Sequence, residues 1–266
     1  MAVDYQPFQG KHALVTGSTS GIGLGIANAL AANGCSLTIN GFGDTTLIES
    51  LCENLATAGN VEVAHSDADM RDPEQIEAMI RESVERFGQL DILVNNAGVQ
   101  HVSPIESFPV NKWDDIIAIN LSSAFHTMRA AIPTMLESGW GRIVNIASPH
   151  ALVASPFKSA YVAAKHGLAG LTKTIALEMA EKNITVNAVA PGYVKTPLVT
   201  GQISDTAKAR GISEEEVIHD VMLLAQPTRK LIAVEQVSEM VLFLCSEQAS
   251  AITGSVLPID GGWTAQ

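Results

Sequence analysis

The sequence of 266 residues predicts an α/β fold: a single domain built on a doubly wound parallel sheet of about seven strands, with helices on both faces. Three observations carry this. Strand-like and helix-like runs alternate along the whole chain. The strand-like runs are continuously apolar and β-branched, as strands buried on both faces are, rather than alternating. A glycine-rich turn, Thr16-Gly17-Ser18-Thr19-Ser20-Gly21-Ile22-Gly23, stands between the first such run and the first helical segment, which is the context a dinucleotide-binding turn requires.

In chain order, the candidate strands are His12–Thr16, Ser36–Asn40, Val61–His65, Ile92–Asn95, Arg142–Ala147, Thr185–Ala190 and Ser255–Pro258. Between them fall amphipathic helices near Gly21–Asn33, Thr45–Ala58, Pro73–Phe87, Asn111–Glu137, Ser159–Glu181 and Val234–Ser246. Right-handed crossovers between parallel strands place those helices on both faces. No linker, repeat or low-complexity tract divides the chain. Only residues 196–232 break the alternation, with Pro197, Gly201, Gly211 and Pro227 separating helix-like pieces. A long insertion of this kind reads as a substrate lid, or else as a packed helical excursion without a gating role.

Composition narrows the function. Apolar residues make up 47% of the chain, enough for a sizeable buried sheet. The net charge of −12 opposes binding to nucleic acid, which needs a basic face, and to an anionic membrane surface. No apolar run reaches the length of a membrane span. Met1 to Gln9 lacks the basic and long apolar regions of a signal peptide. Cys35, Cys52 and Cys245 are odd in number and widely spaced, which suits reduced thiols in a cytoplasmic protein. No His/Cys cluster has metal-ligand spacing, so no metal is expected.

The chemistry is concentrated between Ser148 and Lys165. On a helix, Tyr161 and Lys165 share one face, with Cβ atoms roughly 5–6 Å apart. An ammonium beside a phenol favours the phenolate and lowers the tyrosine's pKa from about 10. Tyr161 is then a proton donor and acceptor near neutral pH, and Ser148 is placed to hydrogen-bond the same substrate oxygen. In the upstream turn, Gly17 permits a tight bend. Gly21 lets backbone N–H groups approach a pyrophosphate at a helix N-terminus, and Gly23 allows close packing of helix on strand.

Together these residues resemble the short-chain dehydrogenase/reductase family over nearly the whole chain. Thr16 to Gly23 matches its T-G-x-x-x-G-x-G loop, and Asn95-Asn96-Ala97-Gly98 its N-N-A-G motif. Asn120, Ser148, Tyr161 and Lys165 match its catalytic residues, and Pro191-Gly192 followed by Thr196 matches the segment covering the nicotinamide. The resemblance implies a Rossmann-like sheet of order 3-2-1-4-5-6-7. It implies cofactor contacts at Gly17, Thr19, Ser20, Gly21, Ile22, Gly23, Phe42, Asp69, Asn96, Ala97, Gly98, Tyr161, Lys165, Pro191, Gly192, Val194 and Thr196. It also implies that Asn120 holds a water passing the proton outward. A tetramer is common in the family, through the helices bearing Asn120 and Tyr161 and through the last strand. Ala160, Ala163, Ala164 and Gly167 suit such packing, but equally suit packing within one subunit.

NAD is favoured over NADP. An acidic residue usually ends the second strand to hold the adenosine ribose, whereas here Asn40-Gly41-Phe42-Gly43-Asp44 offers only Asp44, slightly late. From His12 to Met70 there is neither lysine nor arginine, and a 2′-phosphate needs a cation. Asp69 matches the family aspartate near the adenine; it could otherwise cap the helix beginning at Pro73.

Gln100, His150, Lys158 and Gln202 give the site several polar donors, which suits a small carboxylate. The strings Gly98-Val99-Gln100-His101, Ala147-Ser148-x-His150 and Phe157-Lys158-Ser159-Ala160-Tyr161 are similar to the D-3-hydroxybutyrate dehydrogenase branch of the family. That branch implies a carboxylate clamp by those four residues. Two departures stand out. Pro149 replaces a small residue. Tyr193 stands where a tryptophan often meets the substrate methyl, and could shift chain-length preference or admit a more polar substrate. A sugar, a polyol, another hydroxy acid or a carrier-bound thioester remains an alternative substrate. A non-catalytic NAD sensor is opposed by the intact Ser148, Tyr161 and Lys165.

Overall fold

The structure is a computed structural model; residues 6–266 are described, apart from the side chains at positions 198, 202, 205, 206 and 208–210. Seven parallel strands form one sheet in the order β3-β2-β1-β4-β5-β6-β7. They are β1 His12–Val15, β2 Ser36–Asn40, β3 Val63–Ser66, β4 Ile92–Asn95, β5 Gly141–Ile146, β6 Ile184–Pro191 and β7 Val256–Ile259. Strand β1 pairs with both β2 and β4, so the order reverses beside it. In open α/β sheets, ligands settle at such a switch point, beyond the carboxyl ends of the strands.

The sheet is covered on both faces, which explains why β1, β4, β5 and β6 are buried along their whole length. On one face lie α1 Gly21–Ala32, α2 Thr45–Gly59 and α9 Val234–Cys245. They supply Ile26, Leu30, Leu55, Val237, Val241 and Leu244 to one buried cluster. On the other lie α3 Pro73–Phe87, α5 Ser123–Ser138 and α6 Ser159–Met179, supplying Ile76, Met79, Met128, Ala131, Leu168 and Ala176 to a second. The central strands also carry buried asparagines that satisfy one another. Asn95 donates to its register partner Asn145 at 2.9 Å and accepts from Thr127 at 2.6 Å, while Asn145 donates to Thr172 at 2.9 Å.

Local chemistry sets the boundaries. Asp72 caps α3 by accepting from Glu74 and Gln75 N–H, Pro73 sits just inside that helix, and Gly88 ends it in the left-handed region. The third strand starts at Val63 rather than Val61. Asn60 adopts φ 51° at the end of α2, and Val61 N–H still bonds back to Ala56, so Val61 belongs to the helix's closing turn. The long helix expected over Asn111–Glu137 is divided. It comprises α4 Val110–Ile117, a π-helical turn Ala118–Ser122 and α5. The wider turn sits where the buried Asn120 side chain reaches across to the loop after β4.

Residues 196–232 fold as α7 Pro197–Arg210, a single turn α8 Glu214–Glu216, a π-helical segment Val217–Met222 and a 3-10 turn Leu223–Ala225. Ile203, Ala207 and Val217 form a small buried cluster of their own, distinct from the two sheet cores. The segment is tied to the end of β6 by Gln226, a fully buried side chain that accepts from Tyr193 N–H at 3.2 Å and donates to the Lys230 carbonyl. No helix of the described residues is long and apolar enough to cross a membrane.

At the opposite end of the sheet, His12 is buried. Its Nδ1 stands 2.8 Å from the Gln89 carbonyl and its Nε2 3.0 Å from Thr38 Oγ1, and the ring stacks on Phe87 at 4.0 Å. Burial pulls its pKa down to about 4, so the imidazole is neutral at physiological pH.

Candidate active site

A cavity of about 840 Å³ opens at the switch point, lined from the glycine turn through β4, β5, α6 and the end of β6. The turn is braced from behind. Thr16 Oγ1 accepts the N–H groups of Asn96 and Ala97, each at 3.0 Å, and Asn96 Nδ2 donates to the carbonyls of Thr16 and Gly17. The Asn96 side chain therefore shapes the glycine turn. Gly17 has φ 60°, and a Cβ there would meet Ala97 Cα at 2.9 Å. A Cβ at Gly23 would overlap the Gly17 carbonyl oxygen. Ser20 precedes α1 in extended backbone and makes no side-chain cap, so the first N–H groups of α1 lack that partner. An anion at this helix N-terminus would supply the acceptor.

At the adenosine end, Asn40 occupies the position where an acidic residue is usual. It is buried, donating to the Ser66 and Ala68 carbonyls and accepting from Gly17 N–H at 3.2 Å, and so joins the glycine turn to the loop after β3. Asp44 caps α2 through Thr46 and Leu47 N–H, which accounts for its late position. Phe42 is 66% exposed on the cavity wall. Asp69 also lines the cavity. Its alternative reading as the cap of α3 is corrected by Asp72, which takes that role. Both Asp69 oxygens accept from Arg71, whose guanidinium holds the carboxyl below the usual range. Arg71 is the first lysine or arginine after His12, and Asp69 and Asp115 both pair with it.

Ser148 follows β5 and caps a 3-10 turn, Pro149–Ala151, with Pro149 at the first position, where a missing N–H costs nothing. Tyr161 and Lys165 lie one turn apart on α6, with the lysine nitrogen 5.6 Å from the phenol ring centroid. Lys165 Nζ donates to the Ile146 carbonyl at 2.8 Å, and burial pulls its pKa down to about 8. The expected lowering of the tyrosine's pKa is not what the isolated chain displays. Burial pushes the Tyr161 phenol up, opposed in part by the neighbouring Ser148 hydroxyl. The phenol is desolvated, and the lysine's nearest partner is a carbonyl rather than the phenolic oxygen. Asn120 is buried, with its carboxamide engaged on both sides by Val99, accepting from the N–H and donating to the carbonyl at 2.9 Å each.

On the substrate side, His150 is buried against Tyr161 and Trp263, with burial holding it down to about 4. Its ring nitrogens face two serines, Ser148 at 3.1 Å and Ser155 at 2.8 Å. Lys158 is half-buried on the cavity wall. Burial lowers its pKa, and no acidic neighbour among the described residues counters the shift. Gln100 lines the same cavity from the loop after β4, and Tyr193, Pro191, Gly192, Val194 and Thr196 line it from the end of β6. Thr196 also caps α7. Gln202 lies on α7, and its side chain falls outside the described residues.

Trp263 was not anticipated from the sequence. Asp260 accepts from Gly262 N–H and from both the N–H and hydroxyl of Thr264, closing a turn that carries Trp263 to the cavity wall. The sequence signal was Asp260-Gly261-Gly262-Trp263, an aromatic residue held by a two-glycine turn beyond the last strand.

A family model described as enoyl-(acyl carrier protein) reductase matches residues 17–264. The D-beta-hydroxybutyrate dehydrogenase of Rhizobium meliloti is 58% identical over 256 residues, covering 96% of this chain and 99% of that protein. The chain belongs to the short-chain dehydrogenase/reductase family. A second member, the D-beta-hydroxybutyrate dehydrogenase of Cupriavidus necator, is 51% identical over 258 residues, 97% of this chain and 99% of that one. Among solved structures, actinorhodin polyketide ketoreductase with NADPH superposes with TM-score 0.88 at 35% identity, covering 96% of this chain and 98% of that chain. Dehydrogenases of the family use a nicotinamide cofactor. The cavity fits one, since side chains at Gly17 and Gly23 would close the cradle and the N-terminus of α1 faces it without a side-chain cap.

Proposed function

We propose that the chain catalyses the reversible, NAD-linked interconversion of D-3-hydroxybutyrate and acetoacetate. The observation that carries the substrate class is Lys158, a half-buried cation without an acidic partner among the described residues, opening on the same cavity as Ser148 and Tyr161. A desolvated ammonium is stabilised by an anion, and a small carboxylate supplies one. Gln100 stands on the same wall, and Gln202 follows on α7. A neutral sugar or polyol would leave the ammonium unpaired.

Bound nicotinamide supplies the hydride acceptor. The chain supplies placement and proton handling. Tyr161 takes the proton of the substrate hydroxyl, Ser148 hydrogen-bonds the reacting oxygen, and Lys165 keeps positive charge beneath the phenol and holds the ribose hydroxyls. Burial raises Tyr161 and lowers Lys165, and the proton taken up by Tyr161 is released to the medium. Asn120, engaged by Val99, holds the loop after β4 in place and leaves its backbone to meet a water.

The cofactor is NAD rather than NADP. Asn40 is spent on backbone carbonyls, Arg71 is held by Asp69 and Asp115, and neither lysine nor arginine lies between His12 and Met70 to meet a 2′-phosphate. The segment 196–232, with its own apolar cluster and its tie through Gln226, acts as the lid of the single domain. The enzyme works in the cytoplasm as a homotetramer, without nucleic acid or membrane. Exposed Phe125 on α5 and Leu177 on α6 support contact with further copies.

A panel of small hydroxy acids, sugars and polyols with NAD, read by absorbance of the reduced nicotinamide, tests the proposal. D-3-Hydroxybutyrate is expected to be the best substrate. A sugar or polyol used more efficiently would overturn it.

A further inference from the structure

Gln226 stands behind the cavity wall formed by the ends of β6 and β7. Its side chain is fully buried, while Gly192, Tyr193 and Trp263 line the cavity in front of it. Both ends of its carboxamide meet backbone. Oε1 accepts from Tyr193 N–H at 3.2 Å, and Nε2 donates to the Lys230 carbonyl. These partners fix the orientation of the amide, because turning it over would set N–H against N–H and carbonyl against carbonyl.

Two glycines from separate strand ends close on the same side chain. A Cβ at Gly192, just after β6, would meet Gln226 Oε1 at 2.5 Å, and one at Gly261, after β7, would meet Gln226 Cγ at 2.7 Å. Gly261 begins the turn that carries Trp263, and its carbonyl accepts from Thr228 N–H at 3.1 Å. The Tyr193 backbone is held on both sides. Gln226 takes its N–H, and Ile232 N–H donates to its carbonyl at 2.9 Å, where the segment 196–232 returns to the sheet. One buried amide therefore meets the strand end that carries Tyr193, the turn that carries Trp263 and the exit of the lid. The two rings so carried are stacked, with centroids 5.8 Å apart.

We propose that Gln226 is a positioning residue that sets the placement of Tyr193 and Trp263, and through them the chain length the cavity accepts. It acts through the Tyr193 N–H and its contact with Gly261, without touching substrate. This rests on the reading that the two rings bound the substrate end of the cavity, and is independent of whether the substrate is an acid or a neutral alcohol. A buried amide with no such role would lower stability when replaced and leave the choice of substrate unchanged.

The test sets selectivity against stability in two variants. Gln226→Met keeps the length of the side chain and removes both hydrogen bonds. Gln226→Glu keeps an acceptor for Tyr193 N–H, removes the donor to Lys230 and buries a carboxylate. The quantity measured is the ratio of kcat/KM for D-3-hydroxybutyrate to that for its six-carbon homologue, with a thermal melt of each variant. Gln226→Met should lower the ratio by about three- to tenfold, the scale of one lost hydrogen bond. Gln226→Glu should change it by less than about twofold while lowering Tm further than Gln226→Met does. Gln226→Asn, one methylene too short to span Tyr193 and Lys230, carries the same expectation as Gln226→Met should that variant not fold. An unchanged ratio in Gln226→Met would overturn the proposal, as would an equal or larger fall in Gln226→Glu. The same comparison on butan-2-ol and hexan-2-ol reads the wall without a carboxylate. Failure to oxidise D-3-hydroxybutyrate while butan-2-ol is oxidised would overturn the substrate reading instead, leaving the ratio on the two alcohols to decide Gln226.

Discussion

Tyr193 and Trp263 stack with ring centroids 5.8 Å apart and planes 18° from parallel, and Trp263 meets His150 edge-on at 5.3 Å. One ring comes from the loop after β6 and the other from the turn closed by Asp260. The pair forms an aromatic wall of the cavity beside the reacting residues. Trp263→Ala should enlarge that wall. We expect kcat/KM for D-3-hydroxybutyrate to fall and that for its six-carbon homologue to rise, shifting their ratio by roughly ten- to a hundredfold, since a methylene in an apolar pocket contributes about 1–3 kcal/mol. Kinetics on the two acids measure this, and an unchanged ratio would remove Trp263 from the substrate wall.

Tyr161→Phe should lower turnover by roughly two to four orders of magnitude, the usual scale of a lost general acid–base, while NAD binding changes little. The phenyl ring preserves the packing against His150 but carries no proton. Lys165→Ala should damage both turnover and NAD affinity. Steady-state rates with fluorescence titration of NAD separate the two. A Tyr161→Phe variant retaining most of its activity would make Tyr161 a packing residue.

Both buried histidines make the fold sensitive to acid. Burial holds His12 and His150 down to about 4, against about 6.5 in the unfolded chain. Between those values the unfolded state binds more protons, so stability rises with pH across the window. It is fully present above about 6.5 and is lost as pH falls towards 4. Each contributes on the order of 3 kcal/mol at most. Thermal melts at pH 7, 5.5 and 4.5 should show a falling Tm. His12→Gln should flatten part of that fall without loss of the active site, and a parallel decline would show that His12 is not a source of it.

The cofactor preference follows from how Asn40 and Arg71 are used. NAD should be favoured over NADP by at least about tenfold in kcat/KM, or about 1.4 kcal/mol. Comparable efficiencies with the two cofactors would contradict this.

The sheet was legible because its central strands β1, β4, β5 and β6 are buried, largely apolar runs, and the ends of α3 were written in Asp72, Pro73 and Gly88. The catalytic constellation was legible because a helix fixes the relation of Tyr161 to Lys165 by spacing alone. Three features were not. The π-helical turn at Asn120 depends on a contact with Val99, which periodicity does not encode. The upward shift of Tyr161 is set by burial, a property of the assembled cavity. Trp263 reaches the site through a turn closed by Asp260, beyond the last periodic element, where no repeat of apolar residues announces it.

The central claim is that the cavity turns over a small carboxylate recognised by Lys158. The most direct measurement is the ratio of kcat/KM for D-3-hydroxybutyrate to that for butan-2-ol, in the unmutated enzyme and in Lys158→Ala. A charge-assisted hydrogen bond contributes about 1.5–3 kcal/mol, so the ratio should fall by roughly one to two orders of magnitude in the variant, with the rate on butan-2-ol nearly unchanged. Equal losses on both substrates, or a preference of the unmutated enzyme for the neutral alcohol, would contradict it.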